Sequence, residues 1–273
     1  YANQNVDDYF LPLTCADTNG ICEDPENPKI TVTEFNIQTT WSSSLAAVHA
    51  SEFMLRLADH PRMAVLAYHS LTDGCMDTYD NHRYSAKYAD RYNVYGTFDS
   101  NVVDTTDGSQ SVNFGEVTSI SCLALGLVNR AINTSENAYA TAIEADDLPD
   151  DPDEVFSGDT GMAEETGEGP KLYAKAFEGE ESDFLILTNR SDVPHSVTPY
   201  WNEERVQRSG LLETLSGEAP ENRNCFAMDA AVGEGEVCTS IEMEPTQAWN
   251  PGDPLVVPAW GVVSLSLPRN AGD

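Results

Sequence analysis

The sequence is poor in basic residues and has no long apolar run. It has 14 Lys and Arg against 46 Asp and Glu, for a formal net charge of −32 over 273 residues. Such a chain repels phosphate backbones and anionic lipids, so we expect neither nucleic acid nor a membrane as a partner. No stretch approaches the roughly 20 apolar residues that a membrane-spanning helix needs. Few lysines and many acidic residues also indicate a salty environment.

The sequence also lacks an initiator methionine, a signal peptide and the spacings of a zinc site. It opens at Tyr1-Ala2-Asn3, as we expect of a processed or truncated product. No Cys-x-x-Cys or His-x-x-x-His spacing occurs, and we expect neither a metal nor another cofactor. Hydrophobic residues make up 40% of the chain, which is typical of a globular protein of one or two domains.

The six cysteines are even in number, and their placement suggests pairs. Cys15 and Cys22 bracket a tight turn, and Cys225 and Cys238 bracket a glycine-rich hairpin. Elimination leaves Cys75 and Cys122 as the third pair. Three disulfides would indicate an oxidising compartment, and the alternative is six free thiols in a cytosolic protein.

Two Asn-x-Ser/Thr tripeptides are compatible with a secretory route. They place candidate glycosylation sites at Asn133 and Asn189. Together with the cysteines, they lead us to expect a secreted or extracellular protein, or a periplasmic one if the source is bacterial.

The most informative segment is a β-α-β pattern near the start of the chain. A β-branched strand, Ile30–Asn36, is followed by an amphipathic helix over Ser43–Asp59 and an apolar strand over Met63–His69. The first strand ends in Glu34-Phe35-Asn36, so a carboxylate stands at the carboxyl end of a strand. The apolar second strand is typical of a parallel strand that is buried on both sides.

This order resembles strand seven, helix seven and strand eight of clan A retaining glycoside hydrolases, in particular α-L-arabinofuranosidases and β-xylosidases. The resemblance implies the last part of a (β/α)8 TIM barrel over residues 1–135 and an antiparallel β-sandwich over residues 136–273. A full barrel takes about 250 residues, and only two of its strands precede the sandwich here. We therefore expect a companion polypeptide to carry the rest of the barrel, or this chain to be a fragment of a longer product.

The resemblance makes Glu34 the catalytic nucleophile. Retaining glycosidases use two carboxyl groups, one of which attacks the anomeric carbon while the other protonates the leaving oxygen. The second group is expected in an Asn-Glu pair on strand four, and nothing before Glu34 supplies it. Glu34 could instead be a solvent-facing residue that closes a strand.

Four further residues are candidates to line a carbohydrate site. Asn36 follows the nucleophile strand, and Trp41 lies in the next loop, where it would form a sugar platform or pack on the helix. His69 and Asp73 stand at the end of the second strand, although His69 is as readily a hydrogen-bonded barrel histidine.

The remaining chain divides into a long connection, a helix and a series of strands. The connection Cys75–Glu116 contains Tyr84, Tyr88 and Tyr92 at helical spacing, which favours a packed stripe over a sugar-binding lid. A last helix is predicted over Val117–Asn133, and an acidic Pro/Gly-rich insertion over Ala145–Gly169. The predicted strands are Tyr139–Ile143, Lys171–Phe177, Phe184–Thr188, Ser196–Trp201, Leu211–Leu215, Val237–Met243 and Val262–Leu267.

Two functions fit these features. The first is the C-terminal part of a secreted retaining glycoside hydrolase that cleaves a polysaccharide by double displacement. The second is a non-catalytic extracellular structural or carbohydrate-binding protein on a glycosidase-like scaffold. The presence or absence of the second carboxylate on a companion chain discriminates between them.

Overall fold

A computed structural model describes nine parts of the chain: residues 30–35, 43–58, 63–68, 98–104, 110–118, 120–141, 143, 172–224 and 237–269. Within these ranges, no helix combines the length and apolarity that crossing a membrane requires. The described parts comprise two helices and 16 strands.

The β-α-β pattern near the start of the chain is confirmed. Strand β1 (Ile30–Phe35) is followed by helix α1 (Ser44–Leu57) and strand β2 (Met63–Tyr68). The two strands pair in parallel, with Ile30 opposite Met63 and Phe35 opposite Tyr68. Helix α1 begins where Ser43 caps it, because the Ser43 Oγ accepts a hydrogen bond from the Ala46 backbone N–H at 3.3 Å.

Strand β2 is not buried on both sides, contrary to the expectation from its apolar sequence. Ala64 is exposed and Val65 is 48% exposed, while Met63 and Leu66 are half-buried. Among the described residues, β1 and β2 form a sheet of only two strands. Parallel sheets normally have both faces covered. Strand β2 therefore has apolar surface that the described part of this chain leaves exposed.

The connection from Cys75 to Glu116 contains structure that the sequence analysis missed. Strands β3 (Phe98–Asp104) and β4 (Gln110–Thr118) pair as an antiparallel hairpin. The Asp107-Gly108 dipeptide between them is a frequent hairpin signal. Because β4 runs to Thr118, helix α2 (Ile120–Thr134) begins three residues later than predicted.

The second half of the described chain forms one six-stranded sheet in the order β14-β11-β16-β7-β6-β5. All its pairings are antiparallel. Three smaller pairs, β8 with β15, β9 with β10, and the parallel pair β12 with β13, accompany it. The strands are β5 (Ser135–Ala140), β6 (Leu172–Gly179), β7 (Ser182–Asn189), β8 (His195–Val197), β9 (Tyr200–Trp201), β10 (Glu204–Arg205), β11 (Gly210–Leu215), β12 (Asn222–Asn224), β13 (Val237–Thr239), β14 (Gln247–Trp249), β15 (Leu255–Val257) and β16 (Val262–Pro268).

The longer predicted strands are confirmed, and the shorter ones are partly wrong. The predicted strand Ser196–Trp201 splits into β8 and β9 around Pro199, which has no N–H for a ladder. The predicted strand Val237–Met243 ends at Thr239, and Tyr139–Ile143 is shifted because β5 ends at Ala140. Strands β10, β12, β14 and β15 were not predicted. The antiparallel sheet is therefore established, while the closed barrel and the two-sheet sandwich stay predictions.

The six-stranded sheet has a buried core on each face. Toward the helices, Phe184 and Ile186 pack with Val48 of α1 and Val128 of α2. On the opposite face, alternate residues such as Leu187 pack with residues of β15 and β16. The boundary predicted at residues 135/136 falls inside β5, and the helices before it share one core with the sheet after it.

The amino end of α1 lies against the loop that follows β11. The Ser44 Oγ donates a hydrogen bond to the Gly217 carbonyl at 3.0 Å, and the Leu45 N–H donates to the Pro220 carbonyl at 3.1 Å. The close approach requires glycine, because a Cβ at Gly217 would overlap the Trp260 carbonyl oxygen and would lie 2.6 Å from the Ser44 Cβ. This contact fixes where α1 starts relative to the sheet.

We expect Gly217→Ala to destabilise the fold by about 1–3 kcal/mol, because the added methyl group overlaps backbone that cannot move freely. Gly126→Ala is the matched control, since Gly126 is exposed in α2 and its added Cβ would meet nothing within 4 Å. The control should stabilise the protein by about 0.5–1 kcal/mol through helix propensity. Urea unfolding measures both, and equal effects of the two variants would contradict the close packing.

Candidate functional site

The backbone of Glu34 lies at the carboxyl end of β1. It is the fifth of the six residues of that strand, and Phe35 beside it is opposite Tyr68, the last residue of β2. Because the strands are parallel, their carboxyl ends lie side by side at the same end of the two-stranded sheet. His69 follows β2 directly in the sequence. The fold therefore places the end of one strand, with its carboxylate residue, beside the end of the other.

The remaining candidate site residues lie outside the described part of the chain. They are Asn36, Trp41, His69 and Asp73, and the tyrosine stripe of Tyr84, Tyr88 and Tyr92 lies outside it as well. Their roles stay predictions. Within the described ranges, no group of three or more His, Cys, Asp or Glu side chains is placed to hold a metal ion.

The cysteine predictions have mixed outcomes. Cys238 in β13 is disulfide-bonded, and its predicted partner Cys225 lies outside the described residues, as do Cys15, Cys22 and Cys75. Cys122 in α2 carries a thiol and no disulfide, so the predicted Cys75–Cys122 pair is wrong. Elimination assigned that pair, and elimination fails where a cysteine packs partly buried in a helix as a small apolar residue.

The predicted glycosylation at Asn189 is contradicted by burial. Its side chain is 0% exposed, and its Nδ2 donates to the carbonyl oxygens of Val193 and Pro258 at 2.8 and 2.9 Å. The Asn189 Oδ1 accepts from the Ser191 N–H at 2.9 Å. The tripeptide is thus a turn that is stabilised by its asparagine. Asn133 is exposed in the last turn of α2, and its glycosylation stays a prediction.

A buried ionic cluster joins α1 to the six-stranded sheet. The Glu52 side chain is 3% exposed, and its carboxylate lies 2.7 Å from the Arg56 Nη2 and 2.8 Å from the Arg190 Nε. The Arg56 guanidinium also lies over the Tyr173 ring of β6, 4.3 Å from its centroid. The cluster links the helix of the β-α-β unit to β6 and to the end of β7.

His49 lies one helical turn before Glu52 and is held neutral. Burial lowers the pKa of His49 to about 4; the Glu52 carboxylate raises that pKa and the Arg190 guanidinium lowers it by smaller amounts. Burial has the larger effect because the charged imidazole loses its hydration, and the attraction of the nearby Glu52 carboxylate offsets only part of that loss.

Sequence reasoning missed this cluster, although part of its signal was present. Glu52 and Arg56 are four residues apart on α1, a spacing at which opposite charges meet. Arg190, at the end of β7, gives no sequence signal that it contacts the helix. Only the packing of α1 on the sheet brings the third group to the pair.

We expect the protein to lose stability as the pH falls from about 6.5 to 4, in part because of His49. In that window the unfolded chain binds a proton at His49 and the folded protein does not, so acidification favours unfolding. The full shift corresponds to about 3 kcal/mol.

Urea unfolding of the wild type and of His49→Gln at pH 7 and pH 4.5 measures this contribution. Carboxylates titrate in both proteins, so the difference between their pH slopes isolates His49. The wild type should lose more stability than the variant. Parallel slopes would contradict a neutral, desolvated His49.

The chain matches no protein-family model, and no curated protein matches it. Several solved structures of glycoside hydrolases resemble it. A family 51 α-L-arabinofuranosidase from Bifidobacterium longum is 14% identical with a TM-score of 0.47, over 98% of this chain and 40% of that one. An α-L-arabinofuranosidase from Thermotoga maritima is 12% identical with a TM-score of 0.46, over 88% of this chain and 43% of that one. A GH30 endoxylanase from Clostridium papyrosolvens is 10% identical with a TM-score of 0.43, over 94% of this chain and 45% of that one.

The chain spans less than half the length of each of these structures. With TM-scores below 0.5, the likenesses are too weak to assign a family or an activity to this chain. The functional argument therefore depends on its own residues and their placement.

Proposed function

We propose that this chain is the C-terminal part of a secreted retaining glycoside hydrolase that cleaves a polysaccharide. The observation that carries the proposal is the position of Glu34. It is the penultimate residue of a strand that pairs in parallel with β2, across a single intervening helix. In (β/α)8 barrels, the carboxyl ends of such strands hold the catalytic groups.

The support has two independent parts. The sequence Glu34-Phe35-Asn36 and the elements after it resemble the nucleophile strand of clan A retaining glycosidases. The β-α-β order was predicted separately, from the residue pattern of the two strands and the helix, and it is present in the fold with a parallel pairing. A carboxylate on a strand is also held more precisely than one on a loop, as a nucleophile requires.

In the proposed reaction, the Glu34 carboxylate attacks the anomeric carbon as the glycosidic bond to the leaving oxygen breaks. A second carboxylic acid gives its proton to that oxygen. The same group then takes a proton from water, whose oxygen attacks the anomeric carbon and releases Glu34. The sugar leaves with its anomeric configuration retained.

The second carboxylate would come from a companion polypeptide or from another part of a longer product. The sequence before Glu34 offers no Asn-Glu pair after an apolar strand. The exposed apolar residues of β2 are consistent with further strands that complete the sheet. Without that polypeptide, we expect the isolated chain to bind no substrate productively and to be inactive.

The alternative is a non-catalytic carbohydrate-binding or structural protein on the same scaffold. A mechanism-based fluorinated glycoside decides between the two. With the assembled protein, we expect such a reagent to form a stable ester on the peptide that contains Glu34, detected by mass spectrometry. Hydrolysis without any label on Glu34, or a label on another carboxylate of this chain, would contradict the proposed role.

A further inference from the structure

An aromatic and polar patch lies on the edge of the six-stranded sheet, at residues to which the proposed catalytic function assigns no role. Its members are the exposed Asn137 and Tyr139 of β5 and the half-buried Glu178 of β6, Trp201 of β9 and Arg269 after β16. We call this set the Tyr139 patch. Tyr139 is 42% exposed, and the side chains of Glu178 and Arg269 are 29% and 27% exposed.

Strand register builds the polar half of the patch. Asn137 lies opposite Glu178, and Glu178 lies opposite Asp183 of β7, so the three form a row across neighbouring strands. Asn137 Nδ2 donates to Glu178 Oε2 at 3.3 Å, and the Tyr139 hydroxyl donates to the same oxygen. Arg269 Nη2 donates to Glu178 Oε1 at 2.5 Å.

A buried carboxylate fixes Arg269 from behind. The Asp183 side chain is 2% exposed, and it accepts from Arg269 Nε at 2.9 Å and from the Arg208 guanidinium. Charge-assisted bonds of this kind hold a guanidinium in one orientation. The hydrogen-bonding groups of the patch are therefore preorganised, and a ligand would not have to order them.

A tight hairpin builds the aromatic half. The turn between β9 and β10 has positive φ at both Asn202 and Glu203, the geometry that two-residue hairpins favour. It places the Trp201 ring 6.0 Å from the Tyr139 ring, with an interplanar angle of 74°. An exposed tyrosine ring is thus supported edge-to-face by a half-buried tryptophan.

The charges of the patch cancel, although the protein as a whole carries −32. Within the patch Glu178 is paired with Arg269, and behind it Asp183 is paired with Arg208 and Arg269. An anionic ligand would meet no excess positive charge here and would be repelled by the rest of the surface.

We propose that the Tyr139 patch is a second, non-catalytic binding site for a neutral saccharide chain. The C–H face of a sugar ring would stack on Tyr139, and its hydroxyls would exchange hydrogen bonds with Asn137, Glu178 and Arg269. The proposal deepens the proposed function and rests on it for the ligand class, since a polysaccharide hydrolase gains from a site that holds its substrate nearby.

Affinity electrophoresis of the full protein in gels with arabinoxylan, arabinan or alginate tests the site. We expect retardation by at least one of the two neutral polymers and none by alginate. Tyr139→Ala should weaken that binding about tenfold, the scale of one lost aromatic stacking contact. Tyr139→Phe keeps the ring and should retain most of the affinity.

Tyr200→Ala is the matched control, because Tyr200 lies next to Trp201 and is 62% exposed. It should bind as the wild type does. Binding that survives Tyr139→Ala in a folded variant, equal losses in Tyr200→Ala and Tyr139→Ala, or no retardation by either neutral polymer would overturn the site. Binding that depends on Tyr139 in a protein whose Glu34 is never labelled would keep the site and end the hydrolase proposal.

Discussion

Glu34→Gln is expected to reduce glycoside turnover by the assembled protein on the order of 10⁴-fold or more. The amide keeps the size and most of the shape of the side chain, and it removes the negative charge that attacks the anomeric carbon. Substrate binding should change far less, because the lost interaction forms only as the covalent intermediate forms. The measurement is kcat and KM on an aryl glycoside that the wild type hydrolyses.

Glu242→Gln is the control for this substitution. Glu242 is exposed on the segment that follows β13, far along the chain from β1, and it has no assigned role. It should leave both kcat and KM unchanged. Full activity in Glu34→Gln would end the hydrolase proposal for this residue, whereas an equal fall in both variants would indicate a general loss of folding.

Glu52→Gln is expected to destabilise the protein by about 3–5 kcal/mol, the cost of breaking a buried ion pair from one side. The Glu52 carboxylate contacts both Arg56 and Arg190, whose side chains are only 17% and 14% exposed. The amide would leave two largely buried guanidinium groups without their shared counter-charge. Because the cluster joins α1 to the sheet, we expect the loss to appear in the global unfolding transition.

Glu213→Gln provides the matched comparison for Glu52→Gln. Glu213 of β11 also pairs with an arginine, Arg130 of α2, but that arginine is 42% exposed. Surface pairs contribute about 0–1 kcal/mol, so the control should lose little. Thermal and urea unfolding of both variants measure the two losses of stability. Similar losses would contradict the prediction that the buried Glu52 cluster contributes more to stability than the exposed Glu213 pair does.

The sequence by itself determined the elements whose residues repeat at a clear period. The β-branched run of β1, the helical spacing of α1 and the apolar run of β2 predicted all three, and their order implied the parallel pairing that is present. The longer strands β6, β7, β11 and β16 were likewise readable, because alternate residues of each strand face one of two cores.

Only the tertiary structure decided the features that depend on residues far apart in the sequence. The Asn189 tripeptide reads as an exposed glycosylation site, yet contacts with Val193 and Pro258 bury it. Arg190 pairs with Glu52, and the Trp201 ring packs against the Tyr139 ring. No local sequence pattern predicts either contact. Strands of three residues such as β14 and β15 are too short to carry a period, so their neighbours in the sheet define them. Local propensity fixes where a strand or helix forms, whereas burial and partners are set by which elements meet.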